Sequence, residues 1–373
     1  MSETNNNPNL NNTLSEVKNK NILKRIFEYL QQQRYLNIIR YNKSMQNKLN
    51  KDINSYKEEF LKIKIEIIPV ENKYGKFINI FHKESYYHLY INDYQEIKRY
   101  YITESDNTKT IKIVIDNKFK SLCGLFRNCE CIKKISFIQF NRKDIDNMSF
   151  LFSGCDFLEE IEYINFYTDN VKDMKYMFSS CSSLKKINFY NFSTNNVIDM
   201  SYMFESCSSL EKLDLTSFNT EKVITMKCMF NNCCSLMEII IYNFNINNKL
   251  LDMSKMEKNC HSSDDIDHFS FKTDNVTDMS YMFKGCSSLK ELNISNFNTN
   301  KVRNIKDMFS GCLKLKKLYL PHFYEDDKVL FKSTWGILYE CFSLEHLECS
   351  NNFIKEQYNI LRKEIEINGK KFN

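Results

Sequence analysis

A regular spacing of cysteines is the strongest constraint on how this chain can fold. Nine of its 14 cysteines are separated by 26, 26, 26, 26, 27, 26, 26 and 29 residues. We call these the column cysteines: Cys129, Cys155, Cys181, Cys207, Cys233, Cys260, Cys286, Cys312 and Cys341. A fixed period of this length is typical of repeat proteins, because one short repeat cannot bury its apolar face alone and must stack on its neighbours.

Apolar residues recur at fixed positions on both sides of each column cysteine. Before the cysteine, Met and Phe occupy positions seven, four and three residues away, as in the segment 200–204. Spacings of three and four predict one buried face of a helix or of a tight helical turn. After the cysteine, the positions three, six and eight residues away are apolar, as in Leu210, Leu213 and Leu215. Their alternation predicts a short strand with one buried face.

Stacked strands and helical turns make a solenoid, which we expect over residues 111–349. Threonines stand three residues before the helical run in five repeats and are expected to be its N-caps. They are Thr168, Thr194, Thr220, Thr273 and Thr299. The repeat that contains Cys260 carries Glu257 and Ser263 where the others carry Phe and Leu, so we expect an irregular rung there.

The segment NFSTNNVIDMSYMFESCSSLEKLDL at 191–215 resembles the BspA-like leucine-rich repeats, in their Met-Phe-x-x-Cys variety from bacterial surface proteins and expanded protist families. The resemblance covers roughly two thirds of the chain. It implies an α/β fold, a leucine-rich-repeat-like solenoid with one short parallel strand and one helical turn per repeat. It also implies a function in binding or adhesion.

A second pattern, at residues 15–50, predicts two or three amphipathic helices. Its stretch ILKRIFEYL resembles the F-box through Leu23, Ile26, Phe27, Tyr29 and Leu30. That resemblance implies a substrate receptor that binds a cullin-type ubiquitin ligase. Helices that only cap the solenoid satisfy the same pattern, so both interpretations stay open.

The remaining segments complete the predicted domain organisation. Apolar residues that alternate from Leu61 to Ile67 and from Ile111 to Ile115 predict strands that cover the first rung and protect its edge. We expect a disordered tail at 1–14, a helical unit at 15–50, a β-rich cap at 51–110, the solenoid at 111–349, and a C-terminal cap or tail at 350–373.

The column cysteines invite a metal or redox interpretation, but their periodic placement among Met and Phe predicts a buried ladder of reduced thiols. Neighbouring strands lie about 4.8 Å apart, slightly too far for an unstrained disulfide between them. Cys341, His346 and Cys349 lack the further ligands that a tetrahedral zinc site needs. The sequence also contains neither a glycine-rich phosphate loop nor a nucleophile–base pattern. We therefore predict no cofactor, no metal and no enzymatic activity.

The outward side chains of the strands form the predicted interaction surface. We call this surface the strand face and define it as the residues four, five and seven positions after each column cysteine. The face carries 12 acidic and eight basic residues, with Met237 and Ile240 as an apolar patch near its middle. The candidate binding residues are Glu159, Glu160, Lys185, Lys186, Glu211, Lys212, Met237, Ile240, Lys290, Lys316, Lys317 and Tyr319.

Charges of both signs on the strand face favour a protein partner with complementary charge. A nucleic-acid binder needs a continuous basic track, so we expect no nucleic acid to bind there. A second interpretation is that the charges only keep the sheet soluble.

The amino terminus carries no basic start followed by an apolar run, and no long uncharged apolar stretch follows. We therefore expect a cytoplasmic protein without a membrane span. An intracellular interaction scaffold is the leading hypothesis, with the ubiquitin-ligase receptor and a surface adhesin as alternatives.

Overall fold

The fold is described from a computed structural model. It describes residues 44, 47, 53–81, 84–163, 166–189, 192–236, 238–240, 265–266, 273–287, 289–323 and 336–369. The F-box-like segment and the irregular repeat with Glu257 and Ser263 lie outside these residues. The chain divides into two compact units, Met1–Lys62 and Ile63–Asn373. In the first unit, helix α1 spans Ile53–Leu61.

The second unit opens with a six-stranded sheet. Its six strands are β1 (Ile63–Pro69), β3 (Tyr87–Ile91), β4 (Glu96–Ile97), β6 (Ile111–Ile115), β7 (Ile132–Phe140) and β8 (Glu160–Tyr163). The short strands β2 (Gly75–Lys76) and β5 (Tyr101–Ile102) pair separately, and single 3₁₀ turns occupy Glu84–Tyr86 and Glu104–Asp106. The strand order is β4-β3-β6-β1-β7-β8, antiparallel up to β7 and parallel from β7 to β8.

The predicted alternation in this sheet is confirmed. Ile63, Ile65 and Ile67 of β1 are buried, as are the three isoleucines of β6 at 111, 113 and 115. Leu61, which the same pattern includes, lies in α1 instead. Because β1 pairs with β7, the first strand after a column cysteine, the sheet covers the edge of the repeat region.

Successive repeats pair in parallel with a shift of one repeat. The remaining strands are β9 (Lys212–Asp214), β10 (Glu238–Ile240), β11 (Asp265–Ile266), β12 (Glu291–Asn293), β13 (Lys317–Tyr319) and β14 (His346–Glu348). They form a parallel pair, β10-β9, and a parallel sheet in the order β11-β12-β13-β14. In β9 and β10, for example, Leu213 pairs with Ile239, 26 residues later.

The described segments before the column cysteines are not helices, and this corrects the helical prediction. Each consists of consecutive turns in which an N–H donates to the carbonyl three residues earlier, as from Leu151 to Met148 and from Cys155 to Phe152. Residues five and one before the cysteine have positive φ, as at Tyr176 (56°) and Ser180 (60°). The left-handed residues direct alternate N–H groups away from their own segment. We call these eight-residue stretches the turn segments.

Alternate N–H groups of six described turn segments, those that end at Cys129, Cys155, Cys181, Cys207, Cys286 and Cys312, donate to the next repeat. The Phe152 N–H donates to the Met177 carbonyl at 2.9 Å, and the Phe178 N–H donates to the Met203 carbonyl at the same distance. The i→i+3 turns and the left-handed residues together reproduce the spacings of three and four that suggested a helix. The apolar pattern therefore predicted the buried side correctly and the backbone wrongly.

The threonines predicted as N-caps do not cap their own segments. The Thr168 hydroxyl donates to the Ser193 carbonyl at 2.7 Å and accepts from the Ser193 N–H at 2.7 Å. Thr194 makes the same pair of bonds with Asn219. The Thr168 and Thr194 hydroxyls therefore each join one repeat to the next, where a buried polar group finds both a donor and an acceptor.

The interior consists of columns of identical side chains. Phe126, Phe152, Phe178, Phe204 and Phe230 stack with ring centroids 5.5–5.8 Å apart and are fully buried. The methionines seven and four residues before the column cysteines are buried beside them, as at 174, 177, 200 and 203. A second stack runs through Phe166, Phe192 and Phe218 at 5.9 and 6.0 Å. The described rungs thus bury their apolar sides against one another, as the repeat pattern predicted.

Both ends of the repeat region are covered by other elements. At the first turn segment, the Asn79 side-chain amide donates to the carbonyls of Gly124 (3.1 Å) and Arg127 (2.7 Å). At the last rung, helix α2 (Asn352–Gly369) buries Ile354 and Leu361. Across the described residues, no helix is long and apolar enough to cross a membrane.

Candidate interaction face

The strand face has the predicted orientation. Nine of its candidate residues are exposed, namely Glu159, Glu160, Lys185, Lys186, Glu211, Lys212, Lys290, Lys316 and Lys317. Tyr319 is half-buried. Met237 lies outside the described residues, and Ile240 is described only as the last residue of β10, so the structure leaves the predicted apolar patch untested.

Many charges of the strand face pair with a charge on the neighbouring repeat. Lys134 lies 3.1 Å from Glu160 and 2.8 Å from Glu162, counted between Nζ and the carboxylate oxygens. The Glu162 carboxylate raises the pKa of Lys134, and the Lys134 ammonium lowers the pKa of Glu162. Lys133 lies 3.7 Å from Glu159. Opposite charges on directly opposed strand positions stabilise a sheet, so these charges also help to set the register.

The same pairing recurs near the carboxyl end of the strand face. Lys317 lies 2.9 Å from Glu291, and Lys316 lies 3.6 Å from Glu345. Ion pairs between neighbouring repeats thus account for part of the charge pattern of the strand face.

Two lysines of the strand face, Lys186 and Lys212, lie next to each other, and Lys212 is opposed by Glu238 on its other side. These two lysines are directly opposed in parallel register, and both are exposed. Glu160, the equivalent residue one repeat before Lys186, binds Lys134. Lys185 and Lys186 form no ion pair within the described part of the chain.

Sequence reasoning missed that the strand face continues into the six-stranded sheet. Because β7 joins both β1 and β8, the outward residues of β1, β6 and β3 extend the surface that begins on the repeats. Charges on this extension are also paired locally: Lys112 contacts Asp93 at 2.5 Å, and His88 contacts Glu96 at 3.3 Å. Pairing between segments distant in sequence has no local signal, so only the fold could reveal it.

The column cysteines lie behind the strand face, in the interior. All eight that the structure describes are buried, and every described cysteine is free. Burial raises the pKa of the Cys207 thiol to about 12 and that of Cys341 to about 12. A thiol of this kind is almost entirely protonated at neutral pH and is a poor nucleophile or metal ligand. Their reduced state stays a prediction.

The described residues offer little other chemistry. They contain no group of three or more His, Cys, Asp or Glu side chains that could hold a metal ion. A cavity of about 350 Å³ lies at the first turn segment, between Phe81, Leu122, Cys123, Arg127 and Phe150. Its lining includes neither a histidine nor a carboxylate. The cavity wall therefore lacks an acid–base pair.

Comparison with known proteins places the repeats in a family. The model of the family described as "Mycoplasma protein of unknown function, DUF285" matches residues 120–244, 164–269 and 238–322. Together these matches span more than half of the 373 residues. The chain belongs to this family. The matched DUF285 residues contain eight of the nine column cysteines, and the resemblance to BspA-like repeats is compatible with this membership.

Two solved structures similar to this DUF285 chain are leucine-rich proteins. A leucine-rich repeat protein from Bacteroides ovatus is 19% identical, with 66% of this chain and 67% of that chain covered and a TM-score of 0.29. A leucine rich cell surface protein from Faecalibacterium prausnitzii is 14% identical, with 61% and 85% covered and a TM-score of 0.22. No curated protein matches the chain significantly.

Proposed function

We propose that the repeats form one solenoid over 111–349 and that its strand face binds a protein partner without catalysing a reaction. The observation that carries the proposal is an exposed face of parallel strands on which charges of both signs repeat in register. The parallel register on both sides of the interval 241–264 supports a single array.

A rigid face of this kind suits protein recognition. The columns of buried Phe and Met hold each strand in place, so little conformational entropy is lost when a partner binds. Charges in fixed positions orient the partner and exclude proteins with the wrong pattern. The face binds through many weak contacts, in keeping with the extended surfaces that repeat proteins use.

A charge-swap variant tests the proposal. Lys185→Glu combined with Glu211→Lys exchanges two exposed charges between neighbouring repeats and leaves the net charge unchanged. We expect the tagged wild-type protein, cross-linked in its native cells, to recover a partner that the swapped variant loses.

The matched control exchanges two exposed charges away from the strand face, Glu221→Lys with Lys222→Glu. This control should recover the partner as the wild type does. The same proteins recovered by all three forms, or a partner lost equally from both variants, would refute a role for the strand face.

A further inference from the structure

We infer that the cavity at the first turn segment binds a small planar aromatic carboxylate. The cavity has a volume of about 350 Å³, within the range of about 300–1,000 Å³ that is usual for small-molecule sites. Its described lining residues all lie outside the strand face. The inference therefore adds a second site and does not depend on the proposed function.

A row of stacked aromatic rings leads to the cavity. Phe150, Tyr176 and Tyr202, each five residues before a column cysteine, stack with ring centroids 4.7 and 4.3 Å apart and interplanar angles of 8° and 4°. The equivalent residue of the first repeat is Gly124, which lines the cavity together with Phe150. The row of rings therefore ends at the cavity, where the first repeat contributes no side chain.

The backbone does not require glycine at position 124. Gly124 has a φ of 64°, but Phe150 and Tyr176 adopt nearly the same φ, 58° and 56°, with aromatic side chains. A Cβ atom on Gly124 would lie 3.4 Å from the ring of Phe81, which forms part of the cavity wall. Glycine at this position therefore keeps the cavity open.

Arg127 supplies a positive charge at the cavity wall. Its guanidinium carbon lies 4.7 Å from the centre of the Phe150 ring, and this cation–π contact holds the group over the ring. Within the described part of the chain the Arg127 guanidinium forms no ion pair, and the other lining residues described there are uncharged. A guanidinium binds a carboxylate through two parallel N–H···O bonds. One carboxylate balances this single charge, whereas a dianionic phosphate would require a second cation.

Hydrogen bonds hold the wall of the cavity in place. The Asn79 side-chain amide donates to the carbonyls of Gly124 and Arg127, and the Asn79 N–H donates to the Leu125 carbonyl at 2.7 Å. These bonds tie the segment that carries Phe81 to the first turn segment. Because the wall is ordered before a ligand arrives, little conformational entropy is lost on binding. Aromatic walls at the end of a ring stack, beside one cation, favour a flat aromatic acid.

Isothermal titration of the full chain with β-naphthoate tests this inference. We expect binding that Arg127→Gln weakens by about fivefold, the effect of losing an exposed charge pair. Arg303→Gln removes an exposed arginine from another repeat, so this matched control should bind as the wild type does. Gly124→Phe adds the aromatic residue that the next repeat carries, so it should fill the cavity and abolish binding. Circular dichroism checks that this variant is folded.

The thiol of Cys123 gives a readout at the site itself. Cys123 lines the cavity, is half-buried, and accepts a hydrogen bond from the Ser149 hydroxyl at 3.1 Å. Saturating β-naphthoate should slow the labelling of Cys123 by a thiol reagent in the native protein, measured by mass spectrometry of the labelled peptide. The half-buried Cys349, which follows β14, should label at the same rate with and without the ligand.

Absence of binding at millimolar β-naphthoate would overturn the inference, as would equal losses in Arg127→Gln and Arg303→Gln. Binding that leaves the labelling of Cys123 unchanged would show that the ligand binds elsewhere. Equal affinity for uncharged β-naphthol would show that Arg127 does not select a carboxylate. Tighter binding of β-naphthyl phosphate or of cyclohexanecarboxylate would show that the class of ligand is wrong.

Discussion

At the scale of single residues, one carbonyl per repeat explains why cysteine fits the column. The Phe178 carbonyl accepts the N–H of Cys181 at 3.1 Å and the thiol of Cys207, in the next repeat, at 3.1 Å. The Phe152 carbonyl likewise accepts the thiol of Cys181 at 3.2 Å. A carbonyl has two lone pairs, and a buried thiol is both a small apolar group and a weak donor. Alanine would leave the second lone pair without a donor.

The residue whose loss should cost most is Phe204, at the centre of the aromatic stack. Its ring lies between Phe178 and Phe230, with centroids 5.6 and 5.7 Å away, and it is fully buried. We expect Phe204→Ala to lower the free energy of unfolding by about 3–5 kcal/mol, because the ring leaves a cavity that its neighbours cannot fill. Urea denaturation followed by circular dichroism measures this change.

Phe342→Ala is the matched control for this substitution. Phe342 follows a column cysteine and is 52% exposed, so its replacement should change the free energy of unfolding by less than about 1 kcal/mol. Similar losses at both positions would mean that the buried and exposed sides of the repeat are assigned wrongly.

At the scale of elements, we expect the end caps to contribute strongly to stability, because each end rung has a neighbouring repeat on one side only. Asn79 satisfies two carbonyls of the first turn segment, those of Gly124 and Arg127. We expect Asn79→Ala to lower the free energy of unfolding by about 1–3 kcal/mol, since the partly buried Gly124 carbonyl and the exposed Arg127 carbonyl each lose a donor. Thermal unfolding measures it. Asn300→Ala, at an exposed loop position, should have almost no effect, and a comparable loss there would contradict the capping role.

Helix α2 provides the other cap, and two isoleucines on it make a matched pair. Ile354 is fully buried and Ile360 is 46% exposed. Ile354→Ala should lower the free energy of unfolding by about 2–4 kcal/mol, whereas Ile360→Ala should lower it by less than about 0.5 kcal/mol. Hydrogen exchange of the last rung should rise in Ile354→Ala alone. Unchanged exchange in that variant would show that α2 does not protect the rung.

At the scale of the whole molecule, the buried thiols couple stability to alkaline pH. The ordinary pKa of a thiol is about 9, and burial raises that of Cys207 to about 12 and that of Cys131 to about 11. Between about pH 9 and pH 12 the folded protein therefore binds more protons than the unfolded chain. The free energy of unfolding must fall as pH rises through this window, by up to about 1.4 kcal/mol per pH unit for each such thiol.

Denaturation midpoints measured from pH 8 to pH 10.5 test this expectation. Stability should be nearly constant near pH 8 and should fall increasingly above pH 9. Cys207→Ala should have a shallower slope than the wild type, because one fewer thiol ionises on unfolding. An identical slope in the variant would indicate that Cys207 ionises equally in both states.

The sequence by itself determined the repeat, its period, and the side on which each residue lies. This was possible because each rung must bury the same set of positions. The apolar pattern therefore recurs in every repeat and assigns Phe204 and Leu213 to the buried side. It also determined which charges face outward, as at Lys186 and Glu211.

Only the tertiary structure decided how the backbone of the turn segments runs and where their hydrogen bonds lead. A helix and a run of consecutive turns would both bury the column cysteine and the residues seven, four and three positions before it. Apolar spacing therefore cannot distinguish the two backbones. The distinction lies in the left-handed residues, such as Ser180 and Ser206, whose N–H groups donate to the next rung. The ion pairs of the strand face and the pairing of β1 with β7 likewise join residues far apart in the chain. Such contacts depend on which distant segments stack on each other, and the local sequence does not determine that.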